Sequence, residues 1–135
     1  MHIVYLGLGT NLGDKKANIE NAIDKISKSV GTVCRRSSLF YSKPWGFESE
    51  NDFINAVVCV ETELSPLEVL RATQCVERSL GRTEKSVNNV YHDRLIDIDI
   101  LLYDDIEIST PELTIPHPLM KQRDFVMIPL KEILK

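Results

Sequence analysis

Apolar residues recur along this chain with two periods, and the switches between them mark out the elements. Ile3-Val4-Tyr5-Leu6 is a continuous apolar run closed by glycines, so His2 to Gly9 predicts a buried strand. Ile19, Ala22, Ile23, Ile26 and Val30 then fall at helical spacing, with Asp14 placed to cap the start and Gly31 to stop the helix. Thr32 to Tyr41 predicts a second strand, and Ser42 to Asp52 a long loop bearing Pro44, Trp45, Gly46 and Phe47. Phe53 to Glu63 predicts a third strand that turns Asn55, Val57 and Cys59 to one face and Ile54, Ala56, Val58 and Val60 to the other. Ser65, Pro66 and Glu68 form an N-cap, a first-turn proline and a capping box. The stripe Val69, Ala72, Val76, Leu80 follows, with Gln74 and Glu77 at its margin and Gly81 as the stop. Gly81 to Arg94 has little periodicity, and Asn88-Asn89 marks a turn. Asp97 to Tyr103 is the fourth clear strand. Pro111, Pro116, Pro118 and Pro129 confine the tail to turns and short pieces.

The order β-α-β-β-α-β predicts an α+β fold: a ferredoxin-like sandwich with one antiparallel sheet and the helices packed on one face. Residues 1–135 make a single domain. The two long loops predict binding segments, since structureless stretches of that length are otherwise uncommon in a compact domain. The architecture itself decides no function.

Composition narrows the classes. Hydrophobic residues at 43% and charged residues at 27% are ordinary for a soluble domain. A net charge of −4 argues against a general binder of nucleic-acid backbone, although the 16 basic residues leave room for a local anion site. Cys34, Cys59 and Cys75 are odd in number and lack metal-ligand spacing, which predicts free thiols in a reducing compartment. The chain opens on strand-like residues without a leader, and no apolar run approaches a bilayer span, so a cytoplasmic location without membrane contact is expected.

The chemistry concentrates in Arg94-Leu95-Ile96-Asp97-Ile98-Asp99-Ile100-Leu101-Leu102. In a strand Asp97 and Asp99 share one face, with Cα atoms about 6.6 Å apart. Like charges that close repel unless a cation lies between them, and oxygen donors suit magnesium. The same pair also fits the solvated face of an edge strand. Gly7-x-Gly9-x-x-x-Gly13 departs by one residue from the dinucleotide fingerprint and lacks the G-K-[ST] of a phosphate loop; a tight strand-to-helix turn accounts for it. Arg82, Arg94, His117 and Arg123 supply an anion-handling set, and there is no nucleophilic serine or cysteine among them. Phosphoryl or pyrophosphoryl transfer needs that combination of positioning and electrostatics.

Five segments in order resemble 6-hydroxymethyl-7,8-dihydropterin pyrophosphokinase of folate biosynthesis. They are Leu8-Gly9-Thr10-Asn11-Leu12-Gly13, Phe53-Ile54-Asn55-Ala56, Glu77-x-x-x-Gly81-Arg82, Arg94 to Leu101, and Ile115-Pro116-His117-Pro118-Leu119-Met120-x-x-Arg123-x-Phe125. The resemblance implies transfer of diphosphate from ATP to the hydroxymethyl oxygen of the pterin, with AMP released. It implies that Asp97 and Asp99 hold two magnesium ions and that Arg82 and Arg94 close over the polyphosphate. It places Gln74, Glu77, Ile100, His117 and Arg123 in the ATP set, together with the two arginines. It places Asn55 at the pterin edge beside Asp97, and Phe53 and Phe125 on the faces of the ring. Both small molecules are then the partners, with no nucleic acid, and a monomer is expected.

The chain departs from its relatives in three places. Tyr91-His92-Asp93-Arg94 replaces a Trp/Tyr-Gly-Pro-Arg run, Ser42-Lys43-Pro44-Trp45-Gly46 opens its loop differently, and Glu112 stands where some relatives carry a basic ATP contact. Plainer readings exist for several residues. Phe53 and Phe125 singly suit a core, Asn55 a backbone partner, His117 a packed turn, Glu77 a structural partner of an arginine, and Arg35-Arg36 a solvated strand edge. A metal-dependent nuclease could use Asp97, Asp99 and Glu77, but the acidic balance opposes it. A ferredoxin-like sensor would leave the carboxylate pair idle.

Overall fold

The computed structural model describes residues 1–43, 52–80 and 95–134. In chain order the elements are β1 His2–Thr10, α1 Lys15–Ser29, β2 Thr32–Arg36, β3 Phe40–Ser42, β4 Phe53–Thr62, α2 Pro66–Ser79 and β5 Asp97–Tyr103. After these come β6 Ile108–Ser109, β7 Thr114–Ile115, a 3-10 turn at Met120–Gln122 and α3 Asp124–Ile133. The strands pair antiparallel in the order β2-β4-β1-β5, with β3 continuing beside β4, and this is the ferredoxin-like arrangement.

The two long helices begin where their capping residues stand. Asp14 accepts the Ala17 N–H at 3.1 Å, and Ser65 and Glu68 exchange both bonds of a capping box behind Pro66. Ile19, Ala22, Ile23 and Ile26 of α1, with Val69 and Val76 of α2, bury against Val4, Leu6, Leu8, Ile54, Ala56, Val58, Val60, Ile98 and Ile100. Each fully buried aliphatic side chain there contributes about 1.5–3 kcal/mol. Thr73, rather than Ala72, completes the innermost line of α2.

The structure corrects three expectations. The second strand is interrupted: Ser37 sits between β2 and β3, and its hydroxyl, not a ladder carbonyl, accepts the Val57 N–H at 2.9 Å. The tail is not confined to short pieces, since α3 runs ten residues through Pro129. Its apolar side, Val126, Leu130 and Ile133, packs with Tyr5, Val57, Cys59 and Leu101 into a second core on the sheet face away from α1 and α2. Glu132 fastens it there by accepting from the Ser38 N–H at 3.0 Å and the Ser38 hydroxyl at 2.8 Å. Helix packing on one face therefore holds for α1 and α2 only. Arg35 and Arg36 are also not a uniformly solvated edge. Arg36 pairs with Glu20 of α1, whereas Arg35 reaches across the other face to Tyr5 and Cys59.

Gly31 is required by contact. A Cβ there would lie 2.0 Å from the Glu61 carbonyl oxygen, inside any tolerable separation from backbone. Gly31→Ala is expected to lower stability by about 1–3 kcal/mol, the range for forced overpacking. An unchanged denaturation midpoint would show that the turn into β2 can shift freely.

Candidate active site

β1 is the central strand, and its pairing decides what stands beside what. Gly9 is opposite both Asn55 of β4 and Asp97 of β5; Gly7 is opposite both Val57 and Asp99. Opposed residues in antiparallel strands face the same side, so Asn55, Gly9 and Asp97 form one row and Val57, Gly7 and Asp99 the next. The two glycines therefore lie inside the strand, and only Gly13, at φ +68°, serves the turn to α1. The expected strand from His2 to Gly9 is therefore present, and of the glycine run only Gly13 belongs to the turn. A Cβ on Gly9 would come 3.1 Å from Asn55 Oδ1 and 3.7 Å from the Phe53 ring, so its bareness gives both side chains room.

Asn55 is buried. Its Nδ2 donates to the Phe40 carbonyl at 3.2 Å and to the Ser42 hydroxyl at 2.8 Å, which turns Oδ1 toward Gly9. Phe53, one pleat earlier and half-buried, stands beside it. The sequence carried no sign that Ser42 orients Asn55; only β3 pairing beside β4 brings them together.

Asp97 and Asp99 are half-buried on the exposed part of that face, as their alternation predicts. β5 is an edge strand, and Glu77 of α2 covers its outer side: the carboxylate, 2% exposed, accepts the Ile98 N–H at 2.8 Å. The structure thus gives Glu77 a backbone partner between the two aspartates. Further along β5 the pairing slips, leaving Leu101 as an extra residue between Ile100 and Leu102. The Leu101 carbonyl accepts the His117 N–H at 3.1 Å, which hangs the Pro116-His117-Pro118 segment on the strand. His117 Nδ1 accepts the Leu119 N–H at 3.3 Å, so a neutral ring carries its proton on Nε2, 4.0 Å from Asp99 Oδ2.

On the open edge of β5 lies a cleft of about 260 Å³. Leu70 and Gln74 of α2, Ile98, Asp99 and Ile100 of β5, and Thr114 and His117 beyond it are among its walls. Glu112 also lines it and is paired to Arg71 of α2. Arg123 is buried at the start of α3, its guanidinium carbon 5.6 Å from the centre of the half-buried Phe125 ring. The structure thus gathers Gln74, Asp99, Ile100 and His117 around one cleft, and Phe53, Asn55 and Asp97 around one platform. Arg82 and Arg94 lie outside the described residues, as do Pro44 to Asn51 and Tyr91 to Asp93. Among the described residues no cluster of three metal-ligating side chains occurs. No helix of the described residues is long and apolar enough to cross a membrane.

Fold and site together define a small ferredoxin-like domain with a cleft and a platform joined by a two-carboxylate strand. Residues 5–135 match the family model for 7,8-dihydro-6-hydroxymethylpterin-pyrophosphokinase, and the chain belongs to that family. It is similar to the 2-amino-4-hydroxy-6-hydroxymethyldihydropteridine pyrophosphokinase of Porphyromonas gingivalis, with 49% identity covering 98% of this chain and 91% of that protein. The enzyme of the same name from Aquifex aeolicus is 43% identical over 98% of this chain and 81% of its own length. Among solved structures, a Plasmodium falciparum HPPK-DHPS triple mutant superposes with a TM-score of 0.78 at 16% identity over 98% of this chain. The chain spans 40% of that longer polypeptide, and the likeness concerns the fold alone.

Glu77→Ala removes the acceptor of a buried amide at the back of β5. A stability loss of about 1–3 kcal/mol is expected. A denaturation midpoint equal to that of the parent would mean that Ile98 finds another acceptor at no cost.

Proposed function

We propose that this chain transfers the diphosphate of ATP to the hydroxymethyl oxygen of 6-hydroxymethyl-7,8-dihydropterin, releasing AMP, in folate synthesis. The observation that supports it most directly is the placement of Asp97 and Asp99. Asp97 stands in a row with Gly9 and Asn55, one pleat from Phe53, and Asp99 lines the cleft with Gln74, Ile100 and His117. The two-residue step from one to the other, about 6.6 Å, is the distance over which an alcohol and a polyphosphate would have to meet.

A flat heterocycle with polar edges suits the platform. Asn55 offers Oδ1 to its N–H groups, while Phe53 and Phe125 stack on the ring. Gln74, Ile100 and Glu77 would define the nucleotide end, the last through the strand it braces. His117 Nε2–H and Arg123 would hold phosphate oxygens, and Arg82 and Arg94 would close over the chain of phosphates. The hydroxymethyl oxygen attacks the β-phosphorus, its proton leaves, and the bond to the α,β-bridging oxygen breaks to release AMP.

Magnesium fits the donor set. Two carboxylates on one face leave most coordination positions to water and phosphate oxygens, the usual state of a magnesium site. Asp97 and Asp99 would hold two such ions, which supply charge neutralisation and polarisation at the transferred group. A single copy working in the cytoplasm completes the reading.

Asp97→Ala and Asp99→Ala are each expected to lower AMP formation by about 10²-fold or more, with melting temperature nearly unchanged because both side chains are half-exposed. Turnover within about tenfold of the parent would remove them from the metal role. Gly9→Ala would crowd Asn55 and Phe53, raising KM for the pterin by roughly tenfold while KM for ATP stays put. If KM for ATP rose instead, the platform would not be the pterin end.

A further inference from the structure

A second group of reactive side chains lies on the α3 face of the sheet, apart from the carboxylate pair. Register between β2 and β4 slips by one: Val33 is opposite Val60, Arg35 is opposite Cys59, and Cys34 is the extra residue. A bulge of this kind sets two residues against one and re-aims a side chain that alternation would send to the other face. Cys34 Sγ accordingly lies 3.5 Å from Cys59 Sγ, with Arg35 Nη2 3.8 Å from Cys59 Sγ and 3.5 Å from Tyr5 Oη. Cys34 is exposed and Cys59 fully buried, so one sulfur meets solvent and the other waits behind it.

We propose that Cys34 and Cys59 form a reversible disulfide site, oxidised by hydroperoxides through Cys34. Closing the bond asks the sulfurs to move from 3.5 Å to about 2.0 Å. The bulge sets Cys34 and Arg35 together against Cys59, and it is this placement that brings the two sulfurs within reach of each other. In the first step Cys34 sulfur attacks a peroxide oxygen, the O–O bond breaks, and water leaves with the thiol proton, giving a sulfenic acid. In the second, Cys59 sulfur displaces that hydroxyl, which departs as water with the Cys59 proton. The two thiols together lose two electrons and two protons, and one hydrogen peroxide becomes two waters. Partial loss of water on its sheet side and the adjoining Cys59 hold the Cys34 thiol above its ordinary range, so the first step is slow at neutral pH and calls for excess oxidant. The bond would close the segment from 34 to 59, which carries β3 and the platform residues Phe53 and Asn55.

The test treats the reduced full chain with excess hydrogen peroxide, alkylates the remaining thiols and maps the peptides by mass. Cys34 and Cys59 peptides should emerge joined, Cys75 alkylated, and dithiothreitol should restore both thiols. In Cys59→Ser, dimedone should label Cys34; in Cys34→Ser, Cys59 should stay unlabelled. Full alkylation of Cys34 and Cys59 after treatment overturns the proposal, and so does a bond from either to Cys75 or to another chain. Dimedone on Cys59 in Cys34→Ser would overturn the order of the two steps and with it the role of Cys34.

Discussion

Two carboxylates on adjacent outward positions of one strand repel each other, and the rest of this structure is arranged to keep that strand in place. Among the described strands β5 has only β1 as a sheet neighbour, so half of its backbone groups would face outward. The buried Glu77 carboxylate takes the Ile98 amide between the two aspartates, and the His117 amide takes the carbonyl freed by the bulge at Leu101. Both anchors act on backbone from the edge and back of the strand. The aspartate side chains are left facing the front, where packing would have neutralised their use.

The sheet thus divides its labour by face. The α1 and α2 side is a continuous aliphatic core, while the reverse side is apolar only where α3 covers it. Beyond that cover, β1 contributes Gly7 and Gly9 instead of side chains, so residues from β4 and β5 can lean over a bare central strand. Glycine inside a strand costs roughly 0.5–1 kcal/mol relative to alanine. Such a cost at the middle of the sheet is consistent with a demand for space on that face.

Much of this was legible in the sequence because it is local. Caps at Asp14 and Ser65, the alternation that turns Asn55, Val57 and Cys59 together, and the shared face of Asp97 and Asp99 each need only a handful of neighbouring residues. The misses all depend on register or on long-range docking. Pro129 made α3 look impossible, yet one lost hydrogen bond is outweighed when Val126, Leu130 and Ile133 bury together and Glu132 finds Ser38. The strand through Gly7 and Gly9 was legible, but nothing local says that Asn55 and Asp97 will flank its glycines. The meeting of Cys34 with Cys59 follows from a bulge, and a one-residue slip leaves no trace in hydrophobic pattern.

Charge at one wall of the cleft is balanced within the fold. Glu112 brings a negative charge to that wall, and Arg71, projecting from α2, meets it directly. Both groups are more than half exposed, so the pair adds little to stability. Its effect is instead on the field: the two opposite charges make that wall neutral. Under the proposed reaction the polyphosphate must then be balanced elsewhere, by His117, by Arg123 and by the ions that Asp97 and Asp99 would hold. Cations that act on the transferred phosphorus spend their attraction where charge develops during reaction more than where the nucleotide first arrives.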